Sequence, residues 1–119
     1  MASHNDLGKI GEDLAVEFLR KKAYEILDRN WRFRKAEVDI IALKKEVLAV
    51  VEVKTRSGNY FGDPQDFISS KKIKLLVEAI DAYVNSKNLN VEVRFDIIAI
   101  TKHQEDYNIE HLKDAFLHF

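Results

Sequence analysis

Two apolar runs dominate the hydrophobic pattern of the chain. Between Glu37 and Arg56 the sequence reads EVDIIALKKEVLAVVEVKTR, with Lys44, Lys45 and Glu46 as a polar step between stretches rich in Val and Ile. Such stretches suit strands buried on both faces, and the step between them predicts a hairpin. Its charge is concentrated at one end: Glu37 and Asp39 begin the first strand, and Glu52 and Lys54 finish the second. A hairpin lays these two ends side by side, so the four charges converge.

Around the hairpin the period changes. From about Asn5 to Lys22, Leu7, Ile10, Leu14 and Phe18 recur at helical steps with Gly11, Ala15 and Leu19 alongside, and Asn5 or Asp6 can cap the start. Glu12 sits beside this stripe, either leaning towards a sheet edge or solvated. Tyr24 to Phe33 reads as a strand, interrupted near Asp28-Arg29-Asn30. After the hairpin, Ser57-Gly58-Asn59 predicts a turn, and Asp63-Pro64 opens a short helix over Gln65 to Ile68. Ser69 or Ser70 caps a second long helix with the stripe Ile73, Leu76, Val77, Ile80, Tyr83 and Val84, ending near Asn85 to Asn88. Val91 to Ile100 is a further strand. Ile109, Leu112, Phe116 and Leu117 fall at roughly helical spacing in the tail, with a strand followed by a short turn as the alternative. The order α-β-β-β-α-β, then a short terminal element, predicts an α/β fold with a mixed central sheet flanked by helices.

Parity sharpens the hairpin. Side chains alternate along a strand and directly opposed residues share a face. An even-numbered loop, such as Lys44-Lys45, pairs Glu37 with Glu52 and Asp39 with Val50 and gathers all four charges. A three-residue loop places the two pairs on opposite faces unless a bulge intervenes.

Composition narrows the class. A chain of 119 residues, 46% apolar and 33% charged, fits one soluble domain, residues 1–119, with a substantial core. It has no cysteine, so neither disulfides nor a thiolate zinc site is available. Nothing resembles a signal peptide, and no apolar run approaches the ~20 residues that span a bilayer. No membrane role is therefore expected, and the cytoplasm is the expected compartment. His4, His103, His111 and His118 form no ligand-spaced motif and read as surface or packing residues.

A formal net charge of −1 argues against a protein that coats nucleic acid generally. The distribution matters more than the sum. Arg29, Arg32, Arg34 and Lys35 precede the first acidic pair, Lys54 and Arg56 close the hairpin, and Lys71, Lys72 and Lys74 open the second helix. Arg34, Arg56, Lys71 and Lys72 are the candidate phosphate contacts. A helix N-terminus that carries lysines favours phosphate, although lysines also occupy solvated faces. Trp31 and Phe33 alternate with Arg32 and Arg34, which suits either a base-stacking platform or, more simply, a strand with one buried face.

Clustered carboxylates at the end of so apolar a strand repel, and desolvating one costs on the order of several kcal/mol unless it is paired. A divalent cation removes the difficulty, since two carboxylates, a backbone carbonyl and waters suit Mg²⁺. Lys54 is then placed to contact a substrate anion or the attacking water. The plainer reading is an ion pair of Lys54 with a carboxylate. Glu37 is an accessory candidate, and Gln65 can contact a phosphate or a ligand water or simply face solvent. Arg94 and Asp96 share a strand face and can pair, with Asp96 a possible outer support for the site.

Asp39 followed by Glu52-Val53-Lys54 on the next strand resembles the PD-(D/E)xK nuclease superfamily and its restriction-endonuclease-like fold. More closely, the chain is similar to the YraN-type bacterial family of predicted endonucleases, distant relatives of archaeal Holliday-junction resolvases. The matching pieces span nearly the whole chain: Gly8-x-x-Gly11-Glu12, Arg29-Asn30, Glu37 to Ala42, Val51 to Arg56, Phe61-Gly62-x-Pro64, Lys71 and Arg94 to Ile98. The resemblance implies that Asp39, Glu52 and the Val53 carbonyl hold Mg²⁺ (or Mn²⁺). It implies that Lys54 orients or activates water and that Glu12 is an accessory catalytic carboxylate. The family usually has glycine before Glu-x-Asp, where this chain has Ala36.

The expected function is metal-dependent endonucleolytic hydrolysis of DNA. With little room for a base-reading domain, structure-directed or weakly specific cleavage is expected, and branched DNA is a candidate partner. Junction resolution would require two active sites, hence a homodimer. The alternatives are a non-catalytic nucleic-acid-binding module and a protein-interaction module whose carboxylates are structural ion-pair partners.

Overall fold

The computed structural model describes residues 4–58 and 68–115. Its elements run α1 (His4–Lys21), β1 (Glu25–Phe33), β2 (Ala36–Lys44), β3 (Val47–Ser57), α2 (Ser70–Ser86), β4 (Glu92–His103) and β5 (Asp106–Leu112). The strands form one sheet in sequence order, β1-β2-β3-β4-β5. Neighbours are antiparallel except β3 and β4, which are parallel. A parallel pair needs a crossover rather than a tight turn, and α2 lies within that crossover.

The near-continuous Val and Ile of β2 and β3 reflect burial on both faces. Ile40, Ala42, Ala49 and Val51 pack with Ala15, Val16 and Leu19 of α1. On the other face Ile41, Leu48 and Val50 pack with Ile73, Leu76, Ile80 and Tyr83 of α2. Ser69 is the N-cap of α2, its Oγ accepting from the Lys72 N–H at 3.1 Å. No described helix is long and apolar enough to cross a membrane.

Three local features sharpen the sequence reading. The hairpin loop is even-numbered but is Lys45-Glu46, so Lys44 pairs with Val47 and Ile40 with Val51. Every opposition is therefore displaced by two residues from the Lys44-Lys45 register. Continued one step, this register brings Asp39 opposite Glu52 in place of Val50. The interruption of β1 is a register shift between Ile26 and Asp28, with Asn30 in the left-handed region at φ 52°. The tail forms the strand alternative: Tyr107, Ile109 and His111 are half-buried while Asn108 and Glu110 are exposed. That period of two belongs to a strand, and the hairpin turn at Gln104-Glu105 folds it onto β4. The proposed turn residue Asn59 and the short helix from Asp63 lie largely outside the described residues. Ala36 is not in the left-handed region, so a glycine is not required there.

Candidate active site

The site forms where the central hairpin stops being a ladder. Pairing of β2 with β3 runs from Lys44–Val47 to Ile40–Val51 and no further towards Ala36. Alternation also breaks here, because Val38 and Ile41 enter the same core layer while Ile40 enters the other. Asp39 sits at this break. Its Oδ2 accepts the Val53 N–H at 2.8 Å, satisfying a backbone donor left by the end of the ladder.

Glu52 is the buried carboxylate, with only 2% of its surface exposed. Its Oε1 makes no hydrogen bond among the described residues, and the Lys72 ammonium stands 3.6 Å away. A buried acceptor without a partner is costly. Burial, reinforced by hydrogen bonding to Asp39 and by its charge, pushes the Glu52 carboxyl up to about 8 against the pull of Lys72 and Lys54. Two carboxylates so placed resist joint ionisation in the absence of a cation.

Lys54 lies two residues further along β3, half-buried. Burial and the neighbouring Lys72 charge lower the affinity of its amine for a proton, opposed by Glu52 and Asp39. The pairing of Lys54 with a single carboxylate is thus not the arrangement found; among the described residues the cation in ion-pair contact with Glu52 is Lys72.

Asp39, Val53 and Lys54 line two adjoining clefts. One, of about 550 Å³, adds Glu37, Glu52, Lys35, Lys71 and Lys72. The other, of about 600 Å³, adds Gly8 and Glu12 from α1 and Thr55, Arg56 and Ser57 from β3. Glu12 is therefore directed to the site and not to bulk solvent. Its Oε1 accepts from Arg29 Nη2 at 3.1 Å and from Asn30 Nδ2 at 2.9 Å. The left-handed backbone at Asn30 accompanies that contact. Arg29 also meets Asp13 at 2.6 Å, which with Glu12 holds the guanidinium firmly protonated.

The remaining candidates divide. Glu37 lines the lysine-rich cleft but is engaged by Arg32 at 2.7 Å. Lys71, Lys72 and Arg56 lie in the cleft walls. Arg34 is exposed beyond them, its guanidinium over the Phe33 ring at 5.1 Å. Gln65 lies outside the described residues. Lys35, noted in the sequence only as part of a basic run, lines the cleft; its place follows the Phe33–Ala36 pairing, which turns the chain there.

Asp96 does not support the site. It pairs with Val51 of β3, in the layer under α1. There it accepts from Arg94, from the Asp114 N–H and meets His111 Nε2 at 2.8 Å.

Among the described residues no three Asp, Glu, His or Cys side chains gather closely enough to enclose a metal. The pair Asp39 and Glu52 nevertheless fits a cation such as Mg²⁺ or Mn²⁺, which retains waters and takes substrate phosphate oxygens beside one or two carboxylates. Glu52 Oε1, which accepts no hydrogen bond among the described residues, is the atom such a cation would satisfy.

A mixed sheet between helices, in this element order, matches the plan of a restriction-endonuclease-like core. The chain belongs to the family described as "Uncharacterised protein family UPF0102", whose model matches residues 11–100. It is 60% identical over 119 residues to a UPF0102 protein of Flavobacterium psychrophilum, covering 100% of both chains. It is 45% identical over 116 residues to one of Parabacteroides distasonis, covering 98% of this chain and 96% of that protein.

Proposed function

We propose that this protein is a divalent-metal-dependent endonuclease of the PD-(D/E)xK superfamily that hydrolyses DNA phosphodiester bonds with structure-directed or weak sequence specificity. The observation that carries the reading is the buried Glu52 carboxylate oxygen beside Asp39, which accepts no hydrogen bond among the described residues and has only the Lys72 ammonium at 3.6 Å, at the mouth of lysine-walled clefts. A purely structural carboxylate in that position would have its acceptors filled.

Asp39, Glu52 and the Val53 carbonyl would hold the cation, which when bound polarises the scissile phosphate and lowers the pKa of water. Lys54, with its weakened hold on a proton, positions the attacking water and offers it a base. Lys71, Lys72 and Lys35 fix the backbone phosphates on one side of Asp39, and Arg56 on the other. Glu12, clamped by Arg29 and Asn30, lines the cleft it shares with Asp39, Val53 and Lys54 and would be an accessory carboxylate there. Attack of water oxygen on phosphorus breaks one P–O ester bond, and the leaving alkoxide takes a proton from solvent.

The test is cleavage of linear duplex, single-stranded, flap and four-way-junction DNA in Mg²⁺ and Mn²⁺. Wild type and Glu52→Ala from identical preparations are compared. Metal-dependent cutting by wild type alone supports the reading; equal cutting by both proteins, or none by either, overturns it.

A further inference from the structure

A second concave site lies at the other end of the sheet. Its lining is Tyr24, Lys44, Lys45, Val47, Arg94 and Lys113, and its volume is about 220 Å³. Lys44 and Val47 close the hairpin ladder, and Glu52 lies five residues further along β3. At ~3.3 Å per residue this pocket is ~17 Å from the catalytic carboxylates, about the rise of five base pairs.

The lining contains four cationic side chains and no carboxylate. Arg94 is fixed from beneath by Asp96, through Nε at 2.9 Å and Nη2 at 2.8 Å, and it donates to Tyr24 Oη at 2.7 Å. Its Nη1 has no hydrogen-bond partner among the described residues. Asp96 neutralises that one guanidinium. Lys44, Lys45 and Lys113 have no carboxylate within ion-pair distance among the described residues. Lys44 is steadied over the Tyr24 ring at 5.3 Å. Lysines that serve solubility alone would spread into solvent, whereas these three share one small cleft with a guanidinium already immobilised.

We infer that this pocket binds a phosphate group, carried either by a nucleic-acid backbone or by a small phosphorylated molecule. Three ammonium groups and a fixed guanidinium supply the donors a phosphate dianion or diester requires. Tyr24 and Val47 supply one wall, and the volume suits a phosphate with its first substituent. If the source is DNA, the pocket is a backbone anchor remote from the cleaved bond; that part rests on the proposed function. The phosphate chemistry does not.

The experiment uses the full chain without divalent metal, so that it is independent of cleavage. Amide chemical shifts are followed on titration with inorganic phosphate at fixed ionic strength, in wild type and in Lys45→Ala/Lys113→Ala. Both substituted side chains are exposed, so folding is expected to survive and the amide spectrum itself checks it. Saturable shifts at Lys44, Lys45, Val47, Arg94 and Lys113, weakened about tenfold in the variant, are expected. DNA affinity is then measured against salt. A fall in affinity, with a log–log slope shallower by about 2, assigns the backbone source; unchanged DNA binding with lost phosphate binding assigns a small phosphorylated ligand. The absence of saturable phosphate shifts at the pocket, or shifts unaltered in the variant, overturns the inference whatever the DNA result.

Discussion

Lys72 Nζ stands 3.6 Å from Glu52 Oε1, and among the described residues no other cation comes within ion-pair distance of that carboxylate. The ammonium sits where positive charge is most needed in a protein without bound metal. At or above about pH 8 in EDTA, where the metal-free Glu52 carboxyl ionises, Lys72→Met should therefore lower stability, by about 1 kcal/mol because the lysine is itself 39% exposed. Saturation with Mn²⁺ should shrink that deficit, since the cation replaces the lost charge. Thermal melts of both proteins, with and without Mn²⁺, measure the difference. An equal deficit in both conditions would show that Lys72 acts by packing alone.

Glu52 also gives the metal-free protein a pH dependence of definite sign. Its folded-state carboxyl is raised to about 8 from an ordinary 4.5, by burial first and then by Asp39. Between these values the folded chain holds a proton that the unfolded chain has released. Its contribution to stability therefore falls as pH rises through that window. Glu52→Gln should flatten this slope and be more stable than wild type at about pH 8 in EDTA. Metal binding needs the ionised carboxylate, so Mg²⁺ affinity of the wild type should rise towards pH 8 with proton release. Chemical denaturation across pH and calorimetry in two buffers of different ionisation enthalpy check both statements.

These two residues also mark how far the sequence could be read. The apolar runs on either side of Lys44 to Glu46 announced the hairpin, and helical spacing announced α1 and α2, because each signal is local. The register was not legible: Lys44-Lys45 and Lys45-Glu46 are equally good two-residue loops, and choosing between them moves Asp39 from Val50 to Glu52. The closeness of Lys72 to Glu52 depends on how α2 packs across the sheet, which local patterns do not specify. Asp96 resembled an outer support because it shares a strand face with Arg94. Which face that was depended on the parallel β3–β4 register. The tail stays open between helix and strand in sequence because Ile109, Leu112 and Phe116 mimic a helical stripe, while the alternation of Tyr107, Ile109 and His111 holds the strand signal.

Gly11 is required by the approach of α1 to β3. A Cβ there would collide with Thr55 Oγ1 and lie 3.0 Å from Thr55 Cβ and Cγ2. Gly11→Ala should therefore cost about 1–3 kcal/mol through overpacking, despite the better helix propensity of alanine. It should also shift Glu12 relative to Lys54, since these neighbours flank the collision. Gly11→Ala/Thr55→Ala removes Oγ1 and Cγ2 and should recover part of the loss. A double-mutant cycle in urea would give a coupling energy of about 1 kcal/mol; additive effects would place the strain elsewhere.

Asp96 supplies a test that separates fold from function. Burial alone would raise its carboxyl, but the hydrogen bonds from His111, Arg94 and the Asp114 N–H outweigh it and hold the group below the usual aspartate range. The stability it contributes is present above the ordinary aspartate value and is lost as pH falls through the lower folded value. Asp96→Asn removes the charge beneath Arg94 and should cost about 3 kcal/mol near neutral pH. The deficit should narrow in acid, where the wild-type carboxylate is itself protonated. Because Asp96 faces α1 and not the Asp39–Glu52 cleft, stabilisation of the variant by saturating Mn²⁺ should match that of the wild type. Urea melts at about pH 7 and about pH 3, with and without Mn²⁺ at the higher pH, make the comparison. Loss of the Mn²⁺ response in a folded Asp96→Asn would instead show that the two polar centres communicate through β3 and β4, whose Val51–Asp96 and Glu52–Ile97 pairs are adjacent.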